Sequence, residues 1–487
     1  MDAQCLLANL ITVLPHCGRV YRPLSTYRIL PRFADPVLSP SLARSPSGLM
    51  AKNNIFTVLL ILSSLFASGF AATCTNLGLQ TFEVSKPSDV LTVVDAVSCD
   101  GGNAIAYWRG EVQVPVTIDV AETSKLHIIG GDKLAAIDGG NGLPLFDVDR
   151  SGELHLQNII LRNGNASESG RVHGGAVKLY WSTFTALDCV FENNFAAARG
   201  GAIYSSGSTM KLEKTEFVEG QAGERGGCLQ ADRGKCSIVN SSFTGCFAGE
   251  EGGGARMADG EFSVVNTTFA NNAVFLRDDS SIEEQDEPLG RAGGLSISNC
   301  IADCTILQNV FEGNFAGYKG GAMSVAGSKI VSQKITIEAC YFLNNTAGKT
   351  SRPFKDYPVG EGGAITVSPE FGMELVLANC IFRGNLAGSK GGGVVGADNS
   401  NVEIQSSQFS SNEALGFRGG CVSLNEGSAL VVINSSFLSN YAADSGGCIA
   451  ISEDSTSMLR DNFFYENSAH EVFPGDATLK NCLKATL

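Results

Sequence analysis

A phenylalanine returns ten times between residues 191 and 464: Phe191, Phe217, Phe243, Phe269, Phe311, Phe342, Phe382, Phe409, Phe437 and Phe464. Undisturbed spacings are 26 to 28 residues, and the longer ones carry inserts. Most copies have Asn three residues on, as at Asn194, Asn272, Asn314, Asn345, Asn385, Asn412, Asn440 and Asn467. Gly220 and Cys246 take that place after Phe217 and Phe243. A glycine pair follows at nine or ten residues, for example Gly200–Gly201 and Gly446–Gly447. A period of 20–50 residues means a stacked array, in which each unit buries its face only against its neighbours.

The residues before each Phe identify the unit. Positions seven and five upstream are mostly apolar, as with Leu375 and Leu377 before Phe382, which is the period of a strand. The phase then slips by one residue, and a slip inverts the faces unless the chain turns there. Asn or Asp often stands at the slip (Asn158, Asp188, Asn240, Asn266, Asn379, Asn434), a residue type that accepts left-handed backbone. The unit is therefore a strand, a one-residue bend, a short strand ending in Phe, a bend at Asn, a glycine turn and a third strand. Helical periodicity is not expected anywhere. Stacked in register, such coils make an all-β, single-stranded right-handed parallel β-helix, a solenoid. Phe should form an inward stack, and Asn should both make its turn and bond amide to amide up the column.

The phrases FENN…GGAI (Phe191–Ile203) and FLNN…GGAI (Phe342–Ile365) resemble the repeats of the polymorphic outer-membrane proteins of chlamydiae. More broadly, the chain resembles the pectin-lyase-like right-handed β-helices. The resemblance covers residues 154–467, with Leu126–Gly142 similar to the first coils of such helices. It implies the stacked fold. The chlamydial family also implies a membrane-inserting β-barrel after the repeats, whereas here only a short tail follows, and adhesion is not tied to particular residues.

MAKNNIFTVLLILSSLFASGFAATC, starting at Met50, has Lys52, an apolar run and a small-residue end, which reads as a secretory signal peptide or a signal anchor. The expected organisation is 1–49 as a non-structural extension, 50–72 as that signal, and 73–125 as an N-terminal cap with first coils. Repeats follow over 126–467, and 468–487 is a C-terminal cap or tail. Residues 1–72 hold six basic and two acidic residues, leaving 29 basic and 48 acidic in the remainder. Such a body argues against nucleic acid, which needs a cationic face. Thirteen of the 15 cysteines follow the signal, as suits an oxidising compartment. Five sequons, Asn165, Asn240, Asn266, Asn344 and Asn434, are glycosylation candidates. Cys421 with Cys448, and Cys340 with Cys380, occupy equivalent places in adjacent coils and are expected either to be close enough for disulfides or to be buried thiols in a small-residue column. Cys300 and Cys304 read as a disulfide or as core, because no second pair completes a zinc set.

Catalytic signatures are sparse. A lyase needs carboxylates for Ca²⁺ and a basic residue for the α-proton, and a glycosidase needs clustered carboxylates. His16, His127, His155, His173 and His470 are scattered with no metal spacing. The densest acidic group, within Arg277–Arg291, offers Asp278, Asp279, Glu283, Glu284 and Asp286 as weak Ca²⁺ ligands, though a solvated loop explains it as well. That insert and Gly348–Glu361 are where binding loops would sit. No catalytic residue and no cofactor are assigned. The expectation is a non-catalytic extracellular or cell-surface recognition rod of wall, matrix or adhesion type; the alternative is a polysaccharide lyase or glycoside hydrolase with a divergent site. Expected partners are polysaccharides or cell-surface proteins, with a membrane only if Ile55 to Ala72 stays as an anchor.

Overall fold

A computed structural model describes residues 78–469, apart from 132–134, 169, 276–289, 303, 328–333, 349–359, 369–372, 390–394, 399, 417, 426 and 453. The expected extension and signal (1–72), the acidic insert, most of the Gly348–Glu361 insert and the tail beyond 469 lie outside the described residues.

The chain winds into parallel sheets of 14, 13, 11 and 12 strands, each coil contributing one strand to each sheet along most of the stack. One coil shows the pattern. Thr183–Leu187 lies in the first sheet, Val190–Glu192 in the second, Phe195–Ala196 in the third and Ile203–Ser206 in the fourth. The expected three strands per coil are thus four. The additional one is two residues long, too short to carry a periodicity of its own. Pairing is parallel and in register, Phe191 opposite Phe217 and Phe217 opposite Phe243. Equivalent residues therefore form columns along the stack.

The Phe column is buried and continuous, with ring centroids 4.5–5.0 Å apart from Phe191 to Phe464. The spacing is that of parallel strands, so backbone pairing and ring stacking are satisfied together. The slip position bends as expected, with positive φ at Asn158, Asp188, Asn240, Asn266, Asn379 and Asn434. The second bend corrects the reading. The left-handed residue stands two after Phe, as at Asn193 and Asn271, and not at the Asn three after it.

That Asn points inward instead. Asn314 Nδ2 donates to the Phe269 carbonyl at 2.8 Å and to Asn345 Oδ1 at 2.9 Å. Asn345, Asn385, Asn412 and Asn440 repeat both bonds. Each buried amide is thereby paired without water, which makes a buried polar column tolerable.

The ladder breaks at Gly220 and Cys246, and a Cys228–Cys246 disulfide fills the gap. A side chain at 220 would collide with the sulfur, since a Cβ there would lie 2.5 Å from Cys228 Sγ. Another disulfide among the described residues is Cys300–Cys304. Cys340, Cys380, Cys421 and Cys448 are all buried. The Cys340 and Cys380 thiols interact with each other and also reach the Glu338 and Ala378 carbonyls, each at 3.3 Å.

A helix, α1 (Pro87–Val97), closes the first coil, contrary to the expectation of no helix. Val90, Val93, Ala96 and Val97 form its buried face against the strands Gln80–Val84, Asn103–Trp108 and Ile118–Val120. A parallel stack has an open apolar end, and a short amphipathic helix covers it. Among the described residues no helix is long and apolar enough to cross a membrane.

Candidate functional site

Strand alternation sends the second residue of each fourth-sheet strand outward, and register aligns these residues into an outer column. Through the first half it runs Asp119, Asp147, Lys178, Tyr204, Gln230, Arg256. It continues as Ser296, Ser324 and Thr366. Beside it runs a second column at the glycine turns, where His173, Arg199, Arg225, Glu251, Arg291, Lys319 and Glu361 bridge from coil to coil.

The two columns meet at Arg256. Its Nε donates to Glu251 Oε2 at 2.9 Å and its Nη1 to Asp232 Oδ1 at 2.8 Å. Ser296 Oγ donates to the other Glu251 oxygen at 2.6 Å, and Gln230 Nε2 to Asp232 Oδ2 at 2.8 Å. Neighbouring turns carry the pairs Arg199–Glu224 (2.9 Å) and Arg225–Glu250 (3.1 Å). Burial disfavours the charged form of Glu251, but Arg256, the Ser296 hydroxyl and Arg225 outweigh it and hold the carboxyl below its ordinary range. Both carboxylates of this cluster are bonded to one guanidinium. Asp119 differs. Burial raises its pKa, Arg171 opposes the rise and Asp147 adds to it.

Two neutral polar atoms lack partners in this surface. Gln230 is fully buried, and its Oε1 accepts no hydrogen bond. His173 Nδ1 is also unmatched, while its ring stacks on Tyr204 with centroids 4.6 Å apart. Burial and then Arg199 push the His173 pKa down, so this imidazole is neutral near pH 7.

Elsewhere, His127 and His155, scattered in sequence, lie on adjacent first-sheet strands with ring centroids 6.0 Å apart. His155 Nδ1 contacts Thr185 Oγ1 at 2.8 Å, and Nε2 contacts Glu153 Oε2 at 3.4 Å. Their separation of one coil was the signal available. Among the described residues no group of three or more His, Cys, Asp or Glu side chains could hold a metal ion. The Ca²⁺ candidates Asp278, Asp279, Glu283, Glu284 and Asp286 lie outside the described residues.

Of the sequons, Asn240, Asn266 and Asn434 stand exposed at the bend between the first and second sheets. Asn344 is exposed at the next bend, whereas Asn165 lies in a third-sheet strand and donates to the Asn141 carbonyl at 2.7 Å. The Arg256 cluster, the His173–Tyr204 stack and the aromatic corner at Tyr180 and Trp181 were not assigned from sequence. Arg256 follows Asp232 by 24 residues, so only the coil period brings them together.

The chain is thus a parallel β-helix whose outer columns carry its individual features. One stretch is similar to a known repeat: residues 188–206 match the Chlamydia polymorphic membrane protein (Chlamydia_PMP) repeat, and they hold Asp188, Phe191, Asn194 and the Gly200–Gly201 turn. Among solved structures it is similar to PfbA, a surface adhesin of Streptococcus pneumoniae, at 13% identity over 79% of this chain and 89% of that one, with a TM-score of 0.40. It is also similar to ORF18 of Geobacillus virus E2, at 12% identity over 87% of this chain and 66% of that one, with a TM-score of 0.27. No curated protein is matched.

Proposed function

We propose that this is a cell-surface recognition protein, a rod that presents the outer face of its fourth sheet to polysaccharides or surface proteins without transforming them. The observation that carries the reading is the Arg256 cluster. Glu251 is held below its ordinary range and both it and Asp232 are tied to one guanidinium, so the most densely charged part of this face is arranged for rigid presentation. Secretion through residues 50–72 and glycosylation at Asn240, Asn266, Asn344 and Asn434 belong to the same proposal. The exposure of those four asparagines supports it. Asn165, half-buried in a third-sheet strand, is the weakest of the five.

The test is to label the purified chain and incubate it with intact cells and with isolated wall polysaccharides. Saturable binding without release of soluble sugar is expected. Release of sugar, or no binding to either, would overturn the reading. A second reading, glycoside hydrolysis, draws on Asp119, whose raised pKa suits a proton donor, with Asp147 opposite it in the next coil. Reducing-sugar release that disappears in Asp119→Asn would favour it.

A further inference from the structure

We propose that the corner formed by Tyr180, Trp181 and Arg233 is a glycan-binding subsite. The inference rests on the surface-recognition reading and gives it a ligand class.

Every coil bends with left-handed backbone after its fourth-sheet strand in this region, at Ser151, Trp181, Gly207, Arg233, Asp259 and Asn299. Gly, Asn and Asp accept that conformation readily, whereas a bulky aromatic residue rarely does. Trp181 has φ 51° and is nevertheless 50% exposed. Such strain is not repaid by burying the indole, and strained, exposed residues cluster at functional sites. The next coil makes room for it. A Cβ at Gly207 would fall 2.6 Å from Trp181 Cδ2, so the absent side chain lets the indole lie against that backbone.

The surroundings suit a sugar ring. Tyr180, 38% exposed, meets Trp181 edge to face with centroids 6.4 Å apart, and Arg150 caps the tyrosine ring at 5.4 Å. Ser206, opposite Tyr180 in register, accepts a hydrogen bond from Arg233 Nη2 at 2.9 Å. Two aromatic planes and guanidinium donors complement a ring with apolar C–H faces and hydroxyl edges. The large charged groups nearby are matched to one another, Lys178 to Asp147 at 2.8 Å and Arg256 to Asp232, so they set no demand for a macromolecular ion. A protein partner would need about 800 Å² of complementary surface per side. Here the exposed apolar area is confined to two rings.

The experiment uses intrinsic fluorescence of the full chain. It has two tryptophans, and Trp108 is fully buried with Nε1 donating to the Ala136 carbonyl, so a ligand-induced change reports on Trp181. Cellohexaose and xylohexaose serve as neutral probes and hexagalacturonate as the acidic one, each also titrated by calorimetry. At least one is expected to give a saturable blue shift. Trp181→Asn and Tyr180→Ala are expected to weaken its binding by about tenfold or more, the worth of one aromatic contact. Trp181→Asn should melt no lower than the parent, because Asn suits the bend. Absence of binding by all three probes, or unchanged affinity in both variants, would overturn the subsite. If the chain still binds intact cells in that case, the recognition reading stands and only this ligand assignment falls; if cell binding is absent too, both fall.

Discussion

The two halves of the stack solve the same corner differently. From Phe269 onward an unbroken amide ladder, Asn272 to Asn467, runs beside the Phe column, and the outer fourth-sheet positions are small: Ser296, Ser324, Thr366. In the coils of Phe217 and Phe243 the ladder lapses, a disulfide takes its place, and the outer face carries Gln230 and Arg256, next to Tyr204 of the coil before. Regularity inside permits variation outside, because coil geometry is set by backbone pairing and the inner columns alone. The half with the more individual surface also has the covalent clasp.

The largest expected effect falls on what the halves share. Phe342→Ala removes a ring stacked on both sides, at 4.9 and 4.7 Å, and should cost about 3–5 kcal/mol in urea unfolding followed by circular dichroism. If it costs under about 1 kcal/mol, the column does not hold the stack together.

Arg256→Met separates the halves. It takes the nearest counter-charge from both Glu251 and Asp232, leaving Glu251 only Arg225 at 3.9 Å, and should cost about 3 kcal/mol at pH 7. The pH dependence carries a sign. Glu251 lies below its ordinary value of 4.5, so its contribution is complete above that pH and is lost as pH falls through the lower folded-state value. Glu251→Gln should flatten that acid limb, and an unchanged limb would remove Glu251 from the network.

The clasp comes next. Cys246→Ala opens a loop with a sequence separation of 18 and should cost about 3 kcal/mol. The double change Cys228→Ala with Cys246→Asn should recover more than half of that, since Asn at 246 would meet Asn272 Oδ1 as the ladder does elsewhere. Failure to recover would show that the corner differs in backbone as well as in side chain. The smallest effect has the opposite sign. Trp181→Asn should raise stability by up to about 1 kcal/mol, as relief of left-handed strain.

The Phe column and the slip bends were legible in the sequence because they repeat and because their residue types have a single local meaning. The second bend was misplaced by one residue: in Phe191-Glu192-Asn193-Asn194, either asparagine can turn the chain, and only burial tells which bonds inward. Helix α1 occurs once, so no repetition announced it. The Cys228–Cys246 bond escaped for a related reason. It joins different places in successive coils, whereas repetition draws attention only to equivalent ones. Trp181 could have been noticed by aligning the bends at 181, 207, 233 and 259, where it replaces residues chosen for left-handed backbone.

What the sequence determined by itself was the periodic part: a parallel β-helix, its inward phenylalanines and its bends, because each follows from local conformational preference repeated at a constant interval. What only the tertiary structure decided was which residues from different coils become neighbours on the surface. Arg256 with Asp232, His173 with Tyr204 and Trp181 with Gly207 are one coil apart or nearly so. Their contacts depend on register and on the space each side chain leaves for the next, and neither quantity is local to the chain.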